Sequence, residues 1–254
     1  MAVTDLSAVL TEHGVTLPPT QDELPYDDGV PLETERHRLQ IELLIDALGP
    51  WLAQRPHGGY AGGTMFVYFS LQQTRGQDFR GPDMFVVLDV PPRERKSWVV
   101  WEEGKGPDVV IELLSESTAE QDKITKKLIY QKQLRVPEYF WYDPFNPQDW
   151  AGFTLHNSAY ESLQPDPQGR LVSNILGLAL VRWTGVYKGV GATWLRWASL
   201  DNGLLSTGEE LALRQAEQER KRAEHEWERA EWEHQRAERL AARLRELGVE
   251  PEDL

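Results

Sequence analysis

The chain has 254 residues, is 40% hydrophobic and 10% aromatic, and carries a formal charge of −14; it is long enough for one domain plus an appendage and too rich in core-forming side chains to be disordered. Cysteine is absent, which excludes disulfides, thiolate zinc sites, thiol nucleophiles and iron–sulfur clusters. No apolar run approaches the ~20 residues that cross a bilayer and no signal-peptide pattern opens the chain, so a cytoplasmic protein with no membrane partner is expected.

The charge divides by position. Residues 1–35 hold eight acids and no Lys or Arg (−8), residues 207–254 hold fourteen acids and nine bases (−5), and residues 36–206 come to −1. Three parts are expected: an acidic arm over 1–35, a folded domain over 36–206 and a tail over 207–254. The acidic total describes the ends, so it does not exclude a polyanion as partner of the middle, though it predicts modest non-specific affinity for one.

In chain order, Arg36–Ala53 has the pattern of an amphipathic helix, with His37, Ile41, Leu44, Leu48 and Trp51 on one stripe. The glycines of Gly58-Gly59-Tyr60-Ala61-Gly62-Gly63 lack the Lys and helix of a phosphate loop and predict a turn. Strands are expected at Thr64–Ser70, Met84–Val90, Ser97–Glu103 and Val109–Leu114, which are rich in Val, Ile, Phe and Trp. A helix follows over Ser117–Leu134, where Ser117 and Glu120 have capping-box spacing. Another strand is expected at Glu138–Phe145, then short strands over 151–206 with a turn at Asp166-Pro167-Gln168-Gly169. This order predicts an α/β (α+β) fold built on one mixed sheet flanked by helices.

The tail repeats every seven residues: RAEHEWE, RAEWEHQ and RAERLAA follow one another from Arg222. Neither Pro nor Gly interrupts Glu209–Leu247, so a long helix is expected, with Ala216, Ala223, Ala230, Ala237 and Leu244 in one heptad position. Two arrangements suit it, a thin coiled coil or a single solvated helix held by i,i+4 ion pairs.

Two apolar strands carry a carboxylate that an ordinary core strand would not. Asp83 stands at the mouth of Met84–Val87, and Glu112 lies between Val109-Val110-Ile111 and Leu113-Leu114. A buried carboxylate needs a metal, a cation or a shifted pKa, and a hard divalent ion such as Mg²⁺ relieves two of them at once. Downstream, Asp122, Lys126 and Tyr130 are spaced i, i+4, i+8 on one helix face. The lysine could orient a metal-bound water beside a phosphate, or Asp122 and Lys126 could be a plain surface ion pair. Asp108 has the position of a strand-entry residue. His37 has the choice between a packed or capping histidine and a group near the site. The tryptophans suit a core, with an exposed one free to stack on a base.

The ordered set Gly81-Pro82-Asp83, Pro107-Asp108-Val109-Val110-Ile111-Glu112-Leu113-Leu114-Ser115-Glu116-Ser117-Thr118, Asp122-x3-Lys126-x3-Tyr130 and Val136-Pro137-Glu138-Tyr139 resembles the Uma-type restriction endonucleases of the PD-(D/E)xK nuclease superfamily. The resemblance covers about residues 36–190. It implies a restriction-endonuclease-like mixed sheet, with Asp83 and Glu112 as metal ligands and the Leu113 carbonyl as a third. The superfamily lysine normally stands two residues after the glutamate, where this chain has Leu114. In the Uma-type proteins it is moved to the next helix, here Lys126; Lys127 is its competitor, but only Lys126 shares the face of Asp122 and Tyr130. Asp122, Tyr130 and His37 are then supporting groups.

The resulting expectation is a Mg²⁺-dependent endonuclease hydrolysing DNA, with Mn²⁺ as an alternative ion, working as a homodimer paired through residues 209–247. The rival from another class is a catalytically weak or inactive nuclease-fold protein acting as an interaction module through its C-terminal helix. A glycoside hydrolase using Asp83 and Glu112 as a metal-free carboxylate pair is a third reading, and it leaves Lys126 without a role.

Overall fold

Helix α1 (Glu35–Ala53) begins where Thr34 caps it in the computed structural model, which describes residues 17–25, 34–71 and 81–246. The Thr34 hydroxyl accepts from the His37 backbone N–H at 3.3 Å, satisfying a donor that a helix start otherwise leaves open. The stripe His37, Ile41, Leu44 and Leu48 is buried, but so are Leu39, Gln40 and Leu43 beside it. α1 is covered on more than one side, because it packs both on a six-stranded sheet and on a separate three-stranded one.

The larger sheet contains β1 (Gly59–Gly62), β3 (Met84–Leu88), β5 (Val109–Leu113), β6 (Glu138–Tyr142), β7 (Trp150–His156) and β8 (Ala159–Ser162), in the order β1-β3-β5-β6-β7-β8. Every neighbouring pair is antiparallel except β5 and β6, which are parallel. A parallel pair requires a crossover, and the helix over residues 121–134, α3, supplies it. Alternation sorts the side chains. Met84, Val86, Ile111, Leu113, Phe140 and Tyr142 cluster with α1, whereas Phe85, Val87, Val110 and Tyr139 cluster with Tyr130 of α3. Glu112 shares the period of Val110 and so points to the α3 side.

The expectation of one sheet needs correction. β9 (Leu171–Ser173), β10 (Leu178–Tyr187) and β11 (Val190–Ser199) form a second, antiparallel sheet, and β2 (Val67–Tyr68) pairs in parallel with β4 (Trp98–Val99) in a third. β10 and β11 are ten residues each rather than short. Gln40 ties β11 to α1 through two bonds, donating to the Leu195 carbonyl at 2.8 Å and accepting from its N–H at 2.9 Å.

Other boundaries also differ. The strand expected at Ser97–Glu103 stops at Val99 and becomes one helical turn, α2 (Val100–Glu103). Gly104, with φ 73°, closes that turn by donating to the Val100 carbonyl at 2.9 Å, a conformation glycine adopts without strain. The strand expected at Thr64–Ser70 is reduced to two residues, and Thr64 itself has φ 52°, outside the extended region. Ahead of α3, the Ser115 Oγ accepts from the Thr118 N–H at 3.1 Å. The turn at Asp166–Gly169 forms, closed by the Gly169 N–H to the Asp166 carbonyl at 2.8 Å.

Part of the acidic arm lies within the described residues. Leu24 is buried, Asp22 pairs with Lys96 at 2.7 Å, and Trp101 donates to the Pro19 carbonyl at 2.9 Å. Residues 1–16 and 26–33 of the arm lie outside the described residues.

Chain contacts divide the protein into two units, Met1–Thr207 and Gly208–Leu254. Within the second, α4 (Gly208–Glu246) is one uninterrupted helix with no buried residue.

Candidate active site

The register Met84↔Ile111 brings Asp83 beside Glu112 at the end of β3. The two residues interlock. Asp83 Oδ2 accepts the Leu113 N–H at 2.7 Å, and the Asp83 N–H points to Glu112 Oε2 at 3.4 Å. Glu112 is fully buried and receives two further donors from α3. The Tyr130 hydroxyl reaches Oε1 at 2.5 Å and Lys126 Nζ reaches Oε2 at 3.1 Å. Lys126 also lies 2.7 Å from Asp122 Oδ1, so one ammonium bridges two carboxylates.

The winding of α3 accompanies this convergence. Gln121–Lys126 and Tyr130–Leu134 are π-helical, separated by an α-helical Lys127–Ile129. Such wide turns are rare and recur at functional sites. The Tyr139 hydroxyl donates to the Asp122 backbone carbonyl at 2.9 Å, anchoring the first wide turn to β6. Tyr139 belongs to the Val136-Pro137-Glu138-Tyr139 motif, which gave it no role at the site. Its signal is period two: it alternates along β6 onto the face that Val110 and Glu112 share across the ladder.

Burial pushes the Glu112 carboxyl up to about 7; Lys126 and Tyr130 pull against this, while Asp83 adds repulsion. Asp83 is likewise raised by burial, opposed by Lys126, and Asp122 is raised by burial and by Glu112. For Lys126, burial favours the neutral amine, but Glu112, Asp122 and Asp83 outweigh it and hold the ammonium above its ordinary value. Lys126 is therefore a fixed cation that donates hydrogen bonds and does not accept a proton near neutrality.

The donor chemistry fits a hard divalent ion. Asp83 and Glu112 are both oxygen donors whose ionised forms burial disfavours, with Asp83 adding repulsion at Glu112, and Mg²⁺ is commonly held by one or two carboxylates with water filling the rest. Among the described residues no group of three or more His, Asp or Glu is arranged around one point as an all-protein cage.

The remaining candidates separate clearly. Lys127 stands over the Phe153 ring at 3.4 Å from its centroid rather than at Glu112. Asp108 Oδ2 accepts from the Leu88 N–H and from Lys105 Nζ, both at 2.7 Å, at the entrance of β5. His37 is buried and uses both ring nitrogens, Nε2 at 3.1 Å from the Leu114 carbonyl and Nδ1 at 2.8 Å from the Thr34 hydroxyl. A carbonyl only accepts, so Nε2 carries the proton and Nδ1 accepts from Thr34. The ring joins the start of α1 to the residue after β5, and both its nitrogens are engaged by partners other than Asp83 and Glu112.

Glu138, from the same motif as Tyr139, is a further buried carboxylate. It accepts from Ser173 Oγ and from the Asn174 N–H at 2.8 Å, fixing the turn after β9. Its use is architectural.

No curated protein matches the chain. Among the described residues, no helix is long and apolar enough to cross a membrane. The sequence profile of Uma2, described as putative restriction endonuclease, matches residues 12–183, a span that takes in Asp83, Glu112, α3 and β6. That match covers more than half the chain, so the protein belongs to the Uma2 family, described as putative restriction endonuclease and nuclease-like in kind.

Proposed function

We propose that the protein is a Mg²⁺-dependent endonuclease that hydrolyses DNA phosphodiester bonds, with Mn²⁺ as a substitute ion. The observation that carries this is the Lys126 ammonium held between Glu112 and Asp122, with Asp83 locked across from Glu112. Asp83, Glu112 and the Leu113 carbonyl would hold the ion. When bound, it supplies Lewis-acid polarisation of the phosphate and a water of lowered pKa.

The chain's own residues do the rest. Tyr130 and Lys126 fix both oxygens of Glu112, so its orientation is set before substrate arrives. Lys126 keeps its proton and offers a positive charge where negative charge grows on the phosphate. Asp122 restrains the lysine from the far side. His37 braces the Leu114 carbonyl, one residue beyond the proposed backbone ligand.

The test is cleavage of supercoiled and linear DNA by the full chain with Mg²⁺, Mn²⁺ or chelator. Nicking that requires metal and drops by about 10³-fold in Glu112→Gln is expected, since metal-assisted charge stabilisation is worth several kcal/mol. Cleavage that persists in Glu112→Gln, or appears with neither metal, overturns the assignment.

A second reading, an interaction module pairing with a second copy through residues 209–247, is favoured by α4, whose Trp227 is 67% exposed. Its alanine seam is flanked by Glu217, Glu224, Glu231 and Glu238 on one side and by Glu219, Glu226 and Glu233 on the other. Like charges at such flanks oppose pairing, so a dimer should strengthen with salt. Light scattering that finds a monomer at every ionic strength removes this reading.

A further inference from the structure

A cleft of about 540 Å³ opens at the carboxyl ends of β5 and β6, between the start of α1 and the loops that follow those strands; Thr34, Ser115, Ser117, Asp143 and Phe145 line it. In open α/β sheets ligands bind outside the carboxyl ends of parallel strands, and β5 and β6 are the parallel neighbours of the six-stranded sheet. Ser115 follows Glu112 by three residues. The rise of an extended chain puts their backbones no more than roughly 10 Å apart, a separation that a nucleotide adjacent to a phosphodiester at Glu112 would span.

Phe145 is the unusual element of the wall. It is 59% exposed, yet its backbone is held tightly. Asp143 Oδ1 accepts from the Phe145 and Asn146 N–H groups at 2.8 and 2.9 Å, and the Asp143 N–H donates to the Asp149 carbonyl at 3.0 Å. The Arg36 guanidinium lies 5.2 Å from the ring centroid and donates to the Pro144 carbonyl at 3.3 Å, and the His37 ring stands 5.7 Å away. An apolar ring presented to water on a braced loop has already lost the freedom that binding would cost. The other walls carry the hydroxyls of Ser115 and Ser117 and the carboxylates of Glu116 and Asp143. Those carboxylates disfavour a phosphate and suit the amino groups at a base edge.

We propose that this cleft receives an unpaired nucleobase stacked on Phe145, which makes single-stranded or locally unpaired DNA the preferred substrate. The substrate preference rests on the endonuclease reading above. A base inside a duplex must be unstacked and unpaired before it can enter, and a single-stranded one pays much less.

The test is fluorescence anisotropy of a labelled single-stranded oligodeoxynucleotide and of its duplex, with the full chain and Ca²⁺ in place of Mg²⁺. Phe145→Ala should weaken single-strand binding roughly 5- to 150-fold, the range for one base–aromatic stack, and change duplex binding less than about twofold. Phe145→Tyr keeps the ring and should restore single-strand binding. Equal losses on both substrates, no loss on either, or no single-strand binding by the unaltered protein overturns the proposal. The two readings fail separately. Phe145-dependent binding without cleavage under any metal removes the endonuclease and keeps the base site, whereas cleavage with binding indifferent to Phe145 does the reverse.

Discussion

Asp122–Lys126 in α3 and Arg229–Glu233 in α4 are both i,i+4 ion pairs of similar length, 2.7 and 3.0 Å. Their side chains are 1% and 17% exposed in the first pair and 79% and 58% in the second. On α4 the pair stands in water, where its attraction is weak and screened. On α3 the same spacing is set against Glu112 and roofed by β6, so removing one partner strands a charge that water cannot reach. Spacing tells which side chains meet; burial decides what the meeting is worth.

That contrast breaks most readily at Lys126. Lys126→Met leaves Glu112 and Asp122 without their cation, and a loss of about 3–5 kcal/mol is expected in denaturant titration at neutral pH. Cleavage should fall on the order of 10²–10³-fold, the loss on removing one charge-stabilising donor. A variant as stable as the unaltered protein would mean that the bridge is solvated after all.

A pH series sharpens the comparison. The raised value of Glu112 means that the folded state holds the proton more tightly than the unfolded chain does. The group therefore contributes stability that is present below its ordinary value of 4.5 and is lost as pH rises to about 7. In chelator, Tm of the unaltered protein relative to Glu112→Gln should decline across that window. An invariant difference would place Glu112 in water. The raised value of Lys126 acts in the same direction at much higher pH, its stabilisation being lost only as the ammonium finally deprotonates.

The smallest effect belongs to the solvated side. Arg229→Ala should cost no more than about 0.5 kcal/mol, with a few tenths regained in salt as the remaining Glu flanks are screened. A larger loss in thermal melts would show that α4 is covered by a partner in solution.

Much of the fold was legible because short-range rules governed it. The stripe of α1, the core of β3, β5 and β6, the turn at Asp166–Gly169 and the unbroken α4 follow from periodicity and from Gly and Pro placement. The boundaries that differ are those where a competing local signal intervened. Ser97–Glu103 has strand composition, but Gly104 closes a helical turn there.

At the candidate site, the apolar neighbours of Glu112 announced a buried carboxylate, and i,i+4,i+8 spacing grouped Asp122, Lys126 and Tyr130. Neither pattern could say that the two groups touch. Tyr139 and Phe145 carried no role at the site because an aromatic in or after a strand reads as core until its neighbours are known.

By itself the sequence determined which residues share a strand or helix face, where the charge lies along the chain and which family motifs are present, because these depend on backbone periodicity and composition. Only the tertiary structure decided which faces meet. It set the Lys126 face of α3 against Glu112, tied His37 to the Leu114 carbonyl and left Phe145 in the open. The physical reason is that desolvation and Coulombic coupling act through space, between groups that strand register and helix crossover bring together from distant parts of the chain.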